Sequence, residues 1–145
     1  MSDKKYPPVS FRWYRYLSEV QNELGDGKKN DIPRHISLDK VVKMVGRDDA
    51  YLYDLLLLTK ESLSESLETL KKANADNNVD LMKKTGHKIK GTSLTMGLDV
   101  LAVYALDLQN FEGEESELQN LVNKVDAEIL KIIEIIDLIT STETA

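Results

Sequence analysis

Apolar residues recur every three or four positions along most of the chain, and polar or glycine-containing stretches separate the periodic segments. Such spacing is typical of helices that turn one side to a core, and no segment alternates as a strand would. Asp48 or Asp49 and, further on, Ser116 are predicted helix caps. The predicted helices span approximately these residues: 10–24, 37–44, 49–73, 79–95, 98–111 and 116–138.

These elements predict an all-α fold, an antiparallel four-helix bundle with one or two additional N-terminal helices. We assign residues 1–36 to an N-terminal lead, an extra helix and a polar connection, and residues 37–140 to the bundle domain. The helix over residues 10–24 is expected to pack on the bundle as a brace, and a partner surface or dimer contact is the alternative. His35, in the polar connection, is expected to be solvated and without function.

Composition limits the classes of function. The 145 residues include no cysteine, which excludes disulfides and thiolate chemistry and fits a reducing compartment. There is no long apolar run, and the N-terminus lacks an apolar signal core, so we expect a cytoplasmic protein that does not enter membranes. The formal net charge of −6 argues against binding to nucleic acid.

The predicted helix over residues 79–95 has an unusual outer face. His87 points to solvent, because it lies opposite the core-facing stripe, which is formed by Leu81, Thr85, Ile89, Thr92 and Met96. A mid-helix glycine costs about 1 kcal/mol relative to alanine, so Gly91 calls for a reason, such as close approach of a partner. For Gly97, at the helix end, tight contact with a neighbouring helix is the expected reason. The outer face with His87 is predicted to hold a basic cluster, a bare glycine and two apolar side chains: Lys83, Lys84, Lys88, Lys90, Gly91, Leu94 and Leu98.

The stretch from His87 to Gly97 resembles the motif of the histidine phosphotransfer (HPt) domains of multistep phosphorelays. That motif reads approximately H-x-[LI]-K-G-[ST]-[ST]-x-x-[ILMF]-G, and the resemblance extends from about residue 38 to about residue 138. Gly86 and Leu98 stand where alanine is frequent in the bacterial form, although yeast-type proteins have the residues found here. The matching positions are His87, Ile89, Lys90, Gly91, Thr92, Ser93, Met96 and Gly97.

The resemblance implies roles for these residues. His87 would accept the phosphoryl group, and Lys90, one turn further on, would neutralise its charge. The partners would be receiver domains of response regulators and, in addition, a hybrid sensor histidine kinase. Magnesium would belong to the receiver, so we expect no cofactor or metal here, and we expect a monomer. The partner-binding residues would be Lys83, Lys84, Lys88, Gly91, Leu94 and Leu98.

Other helical classes fit less well. The phosphoacceptor domain of a sensor kinase typically has an acidic residue after the histidine and a proline soon after, whereas Lys88 follows His87 and no proline occurs after Pro33. No nucleotide-binding domain follows, so we expect a carrier without autokinase activity. A ferritin-like metal bundle needs paired Glu-x-x-His sets, which two histidines cannot supply. A non-catalytic bundle that binds a signalling partner through the same face remains the alternative.

Overall fold

The computed structural model describes residues 35–37, 40–41, 43 and 49–142. This part of the chain contains no strand. The all-α prediction is therefore confirmed, whereas the predicted helix over residues 10–24 lies outside the described residues. Four helices span the continuous range: α1 (Asp49–Ala75), α2 (Val79–Met96), α3 (Asp99–Gln109) and α4 (Glu115–Thr142).

The four helices form a closed ring in which each packs on two neighbours. α1 contacts α2 and α4, and α3 contacts the same two helices from the other side. The apolar stripes meet in the centre, because an amphipathic helix buries one side against its neighbours. The largest fully buried side chains come from all four helices and from Leu98, between α2 and α3: Leu56, Leu63, Leu70, Met82, Ile89, Leu98, Leu101, Leu108, Ile129 and Ile132.

The segment before α1 packs beside the junction of α2 and α3. The backbone N–H of Ser37 donates to the carbonyl oxygen of Gly97 over 2.7 Å. Ile36 and Val41 are buried and belong to the core. α3 is about 16 Å long and α4 about 42 Å at 1.5 Å per residue, so α3 covers only part of the length of α4. Residues outside the four helices must therefore complete the core along the rest of α4. The side chains of Ile36 and Val41 contribute to this part of the core.

His35 is not solvated, and that prediction is wrong. Its Nδ1 lies 2.5 Å from Oε2 of Glu128 on α4, and the two side chains are only 11% and 9% exposed. The next residue, Ile36, enters the core, and this brings the imidazole against α4. The ring therefore has a structural role in fastening the N-terminal segment to the bundle.

Two glycines of α2 are required by packing. Gly97 has a φ of +65°, and an added Cβ would lie 2.7 Å from the carbonyl oxygen of Ser37. The expected tight contact at Gly97 is therefore present, but it is made with Ser37 and Lys40 of the segment before α1. Gly86 is buried, and its Cβ would lie 2.9 Å from the backbone nitrogen of Gln109 at the end of α3. The bare backbone at Gly86 therefore allows α2 and α3 to approach closely.

The start of α4 differs from the prediction. The helix begins at Glu115, so Ser116 lies within its first turn and does not cap it. The carbonyl oxygen of Glu114 accepts from the N–H of Leu118 over 3.0 Å. The Glu117 carboxylate accepts from the N–H of Glu114 over 2.9 Å, as a glutamate does in a capping box.

Candidate functional site

α2 is held in a defined rotation about its own axis. At its start, the side chain of Asn78 accepts a hydrogen bond from the N–H of Leu81, which caps the helix. Along its inner side, six residues are buried. Because this side fixes the rotation, the positions opposite it must face outward. The buried residues of α2 are Met82, Thr85, Gly86, Ile89, Ser93 and Met96.

The hydroxyl groups of α2 are structural rather than chemical. Ser93 is fully buried, and its Oγ donates to the carbonyl oxygen of Ile89 over 2.7 Å. Thr85 makes the same kind of bond to Leu81 over 2.7 Å. Thr92 faces α1 instead, where its Oγ1 lies 3.5 Å from Oγ of Ser62. The hydroxyls of Ser93, Thr85 and Thr92 therefore do not face the side of α2 on which His87 lies.

His87 is exposed on the outer face of α2, as predicted. The four predicted lysines share the helix with it. Lys84 and Lys88 are exposed, and Lys83 and Lys90 are partly buried along the helix surface. Lys90 follows the histidine by three positions, which places the two side chains on the same side of the helix within one turn.

Lys88 differs from the other three lysines. Its Nζ lies 3.7 Å from Oε1 of Glu65 on α1, and both side chains are mostly exposed. A pair of this kind stabilises little and is easily broken. Among the described residues, this is the only ion pair within 4 Å that involves one of the four lysines. The net positive charge beside His87 is therefore retained.

Gly91 is bare for no reason that the described residues show. An added Cβ would meet none of their atoms within 4 Å, in contrast to Gly86 and Gly97. Gly91 lies four residues after His87 and hence on the same face. Within the described part of the chain the surface at Gly91 is therefore open, and an approaching backbone could come close to it.

Leu98 is not part of this face, and its prediction as a partner-binding residue is wrong. The residue is 1% exposed and belongs to the core. α2 ends at Gly97 in the left-handed conformation, and the N–H of Leu98 donates to the carbonyl oxygen of Ser93. The chain changes direction there, so the helical phase that would have placed Leu98 beside Leu94 no longer applies.

A shallow apolar groove between α1 and α2 adjoins the open surface at Gly91. Its volume is about 290 Å³. Leu58, on α1, is 58% exposed at the groove, and Leu94, on the outer face of α2, is 62% exposed. In the sequence, Leu57 and Leu58 extend the apolar surface of α1 beyond a single helical stripe, but the pattern does not show that Leu58 lies next to α2. The lining residues are Leu55, Leu58, Thr59, Ser62, Gly91, Thr92, Thr95 and Met96.

The outer face of α2 could thus present an imidazole, adjacent cations and apolar anchors to another protein. The described part of the chain contains no group of three or more His, Cys, Asp or Glu side chains that could hold a metal ion. None of its helices is long and apolar enough to cross a membrane.

A model of the Hpt domain family matches residues 54–141, which is more than half of the chain and includes all of α2 and α3. This chain belongs to the Hpt domain family. The match confirms the resemblance found in the sequence and gives the chain a role in phosphotransfer within phosphorelays. Hpt domains are phosphoryl carriers that interact with receiver domains. No curated protein and no solved structure matches the chain.

Within the Hpt region, seven of the eight predicted site residues lie on one face of α2. The eighth, Leu98, lies in the core instead. The domain boundary at residue 37 and the roles of the individual residues stay predictions. Leu58 and Gly86 are the residues that sequence reasoning missed. The run of four leucines at 55–58 was the available signal for Leu58, whereas the contact of Gly86 with α3 has no local signal.

Proposed function

We propose that this Hpt protein accepts a phosphoryl group on His87 from the phospho-aspartate of one receiver domain and passes it to an aspartate of another. The exposure of His87 on the outer face of α2, beside lysines and an open backbone, is the observation that supports this most. Neither an autokinase reaction nor a cofactor bound to this chain is required.

The transfer step is a displacement at phosphorus. A ring nitrogen of the neutral imidazole attacks the phosphorus atom, the bond to the aspartyl oxygen breaks, and the aspartate leaves as a carboxylate. Transfer to the next receiver is the reverse, with that receiver's carboxylate as the nucleophile. The transition state is loose, so catalysis depends mainly on alignment and on neutralising the phosphoryl oxygens.

Lys90 would supply part of that neutralisation from this chain. Its position one turn after His87 allows its ammonium group to reach a phosphoryl group on the imidazole. The divalent metal that phosphoryl transfer commonly needs would be magnesium in the receiver's acidic pocket. The cluster of Lys83, Lys84 and Lys88 would attract that acidic surface and raise the association rate, most strongly at low salt.

The docking surface would be the open surface at Gly91 together with the neighbouring groove. Leu58, which lines the groove with Gly91, and Leu94, three residues after Gly91, offer exposed apolar contacts in place of the buried Leu98. An interface made by these few residues would bury less than about 1,200 Å², which is typical of transient complexes. Exchange between several receivers requires such a transient complex. We propose that the protein acts as a cytoplasmic monomer, since the core closes within one chain, and that a hybrid sensor kinase can provide one of the receivers.

Incubation with a phosphorylated receiver tests the proposal. We expect the chain to become labelled at His87, as mapped by mass spectrometry under alkaline conditions that preserve phosphohistidine. His87→Gln should abolish the label and leave the helicity unchanged, because the side chain is exposed. His35→Gln is the control, since it removes the chain's other histidine and should keep the label.

Label retained in acid-labile form by the His87→Gln variant would refute the assignment. A wild-type chain that binds receivers but takes no label would instead be the non-catalytic adaptor.

A further inference from the structure

A second concave site lies at the other end of the bundle from the α2–α3 junction. A cavity of about 360 Å³ opens between the α1–α2 turn and the α3–α4 loop. Its apolar wall includes the buried Met82 and Leu118, and Val79 beside it is 42% exposed. The lining residues are Asn77, Val79, Met82, Phe111, Glu112, Gly113, Glu115, Leu118 and Gln119. None of them belongs to the face around His87.

Carboxylates predominate around this cavity. Residues 73–82 and 107–119, which include its lining, contain no lysine, arginine or histidine, although Lys72 and Lys83 adjoin the first stretch. Glu112 and Glu115 line the cavity itself. Further carboxylates lie in the same two stretches, at Asp76, Asp80, Asp107, Glu114 and Glu117. An apolar site whose neighbouring charges are mostly negative favours an occupant that is both apolar and cationic.

The chain itself contains a segment with that chemistry. Residues 4–16, which lie outside the described residues, read KKYPPVSFRWYRY. They carry two lysines, two arginines and five aromatic side chains, with no carboxylate. Aromatic rings bury large apolar areas, and arginine binds carboxylates through two hydrogen bonds. The α1–α2 groove is a poorer match, because the lysine cluster around His87 would repel this segment.

The segment can reach the cavity. The described chain starts at His35, whose imidazole is bound to Glu128 on α4. Leu118, in the cavity wall, lies earlier on the same helix by about 15 Å at 1.5 Å per residue. The residues between Tyr16 and His35 could span about 45 Å, with residues 17–24 in the predicted helix and the remainder extended. The length of this connection therefore allows binding within one chain.

We propose that residues 4–16 bind to this acidic, apolar cavity in the same chain, with an aromatic side chain inserted between α2 and α4 and the basic residues paired with Glu112 and Glu115. The interaction leaves the face around His87 uncovered. It gives the residues before the Hpt region a defined binding site at the opposite end of the bundle.

Trp13 is the chain's single tryptophan, so its fluorescence reports on this segment in the full-length protein. We expect emission at short wavelength and protection from acrylamide in the wild type. The pair Glu112→Gln and Glu115→Gln should shift the emission to longer wavelength and increase quenching. The control pair Glu61→Gln and Glu68→Gln removes the same charge from exposed positions on α1 and should change neither.

Emission typical of free tryptophan in the wild type, or equal shifts with both pairs, would overturn the proposal. Circular dichroism checks that helicity is kept.

Disulfide trapping provides an independent test, because the chain has no cysteine of its own. The full-length double variant Tyr14→Cys with Val79→Cys should form an intrachain disulfide on mild oxidation. Tyr14→Cys combined with Leu58→Cys, in the α1–α2 groove, is the control and should form it much more slowly. Equal rates in the two variants would contradict the proposal, and so would predominant disulfide-linked dimers, which would assign the cavity to a second copy.

Discussion

The two interior glycines of α2 allow one substitution to be tested in opposite environments. Gly86→Ala and Gly91→Ala change the same residue type in the same helix, so their effects on helix propensity and on the unfolded chain are nearly equal. Only the surroundings differ. A Cβ at Gly91 meets no atom of the described residues within 4 Å, whereas one at Gly86 lies 2.9 Å from the Gln109 nitrogen and 3.0 Å from the Ala105 carbonyl oxygen.

The expected changes in the free energy of unfolding therefore have opposite signs. Gly91→Ala should gain about 1 kcal/mol, which is the difference in helix propensity. At Gly86 the same gain is opposed by overpacking against the backbone of α3, which cannot move away as a flexible side chain could. Overpacking costs about 1–3 kcal/mol, so we expect a net loss of about 1 kcal/mol.

Urea denaturation followed by circular dichroism measures both values under the same conditions. The midpoints should move in opposite directions around the wild type, with unchanged slopes. If both variants are stabilised equally, α2 and α3 do not approach as closely as the structure shows. If Gly91→Ala is destabilised, the surface at Gly91 is covered within the folded chain.

The other predictions concern the transfer step and one buried acid. Lys90→Ala should slow phosphoryl transfer in a receiver assay without changing helicity, and an unchanged rate would remove Lys90 from the mechanism. Gly91→Gln should prevent receiver binding in a pull-down although it raises helix propensity, and undiminished binding would place the interface elsewhere. Burial raises the pKa of Asp126, whose Oδ1 is buried and has no hydrogen-bond partner among the described residues. Because a raised carboxyl pKa means that ionisation opposes folding above the usual aspartate range, Asp126→Asn should raise the melting temperature at pH 7. That gain should shrink as the pH falls through the raised pKa towards the usual one, and a gain that is constant with pH would contradict this account.

Most of the candidate face could be read from the sequence because it lies on one helix. The direction of His87 follows from the inward positions Thr85 and Ile89 by helix geometry alone, and both are buried as expected. The prediction for Leu98 failed because it extended the same geometry past Gly97. Gly97 indicated that the helix would end there, but not the direction in which the chain would continue.

Contacts between distant segments were beyond this reasoning. His35 looked like a loop residue because its partner, Glu128, lies on α4, 93 positions away. Gly86 looked like a small departure from a motif. The glycine is needed there because the backbone of α3 lies close to it, and the sequence of α2 does not show that contact. The run of four leucines at 55–58 indicated extra apolar surface on α1. Only the packing of α1 on α2 makes Leu58 one side of a groove.

The sequence by itself determined the number and type of helices in the bundle, the outward direction of His87 and the basic character of the surface around it. These depend on periodicity and on charge within a few turns of one helix. Tertiary structure decided which glycines are needed for packing, which leucines reach the surface beside the imidazole, and where the cavities lie. Those properties depend on distances between helices, and such distances are set by the packing of side chains far apart in the chain.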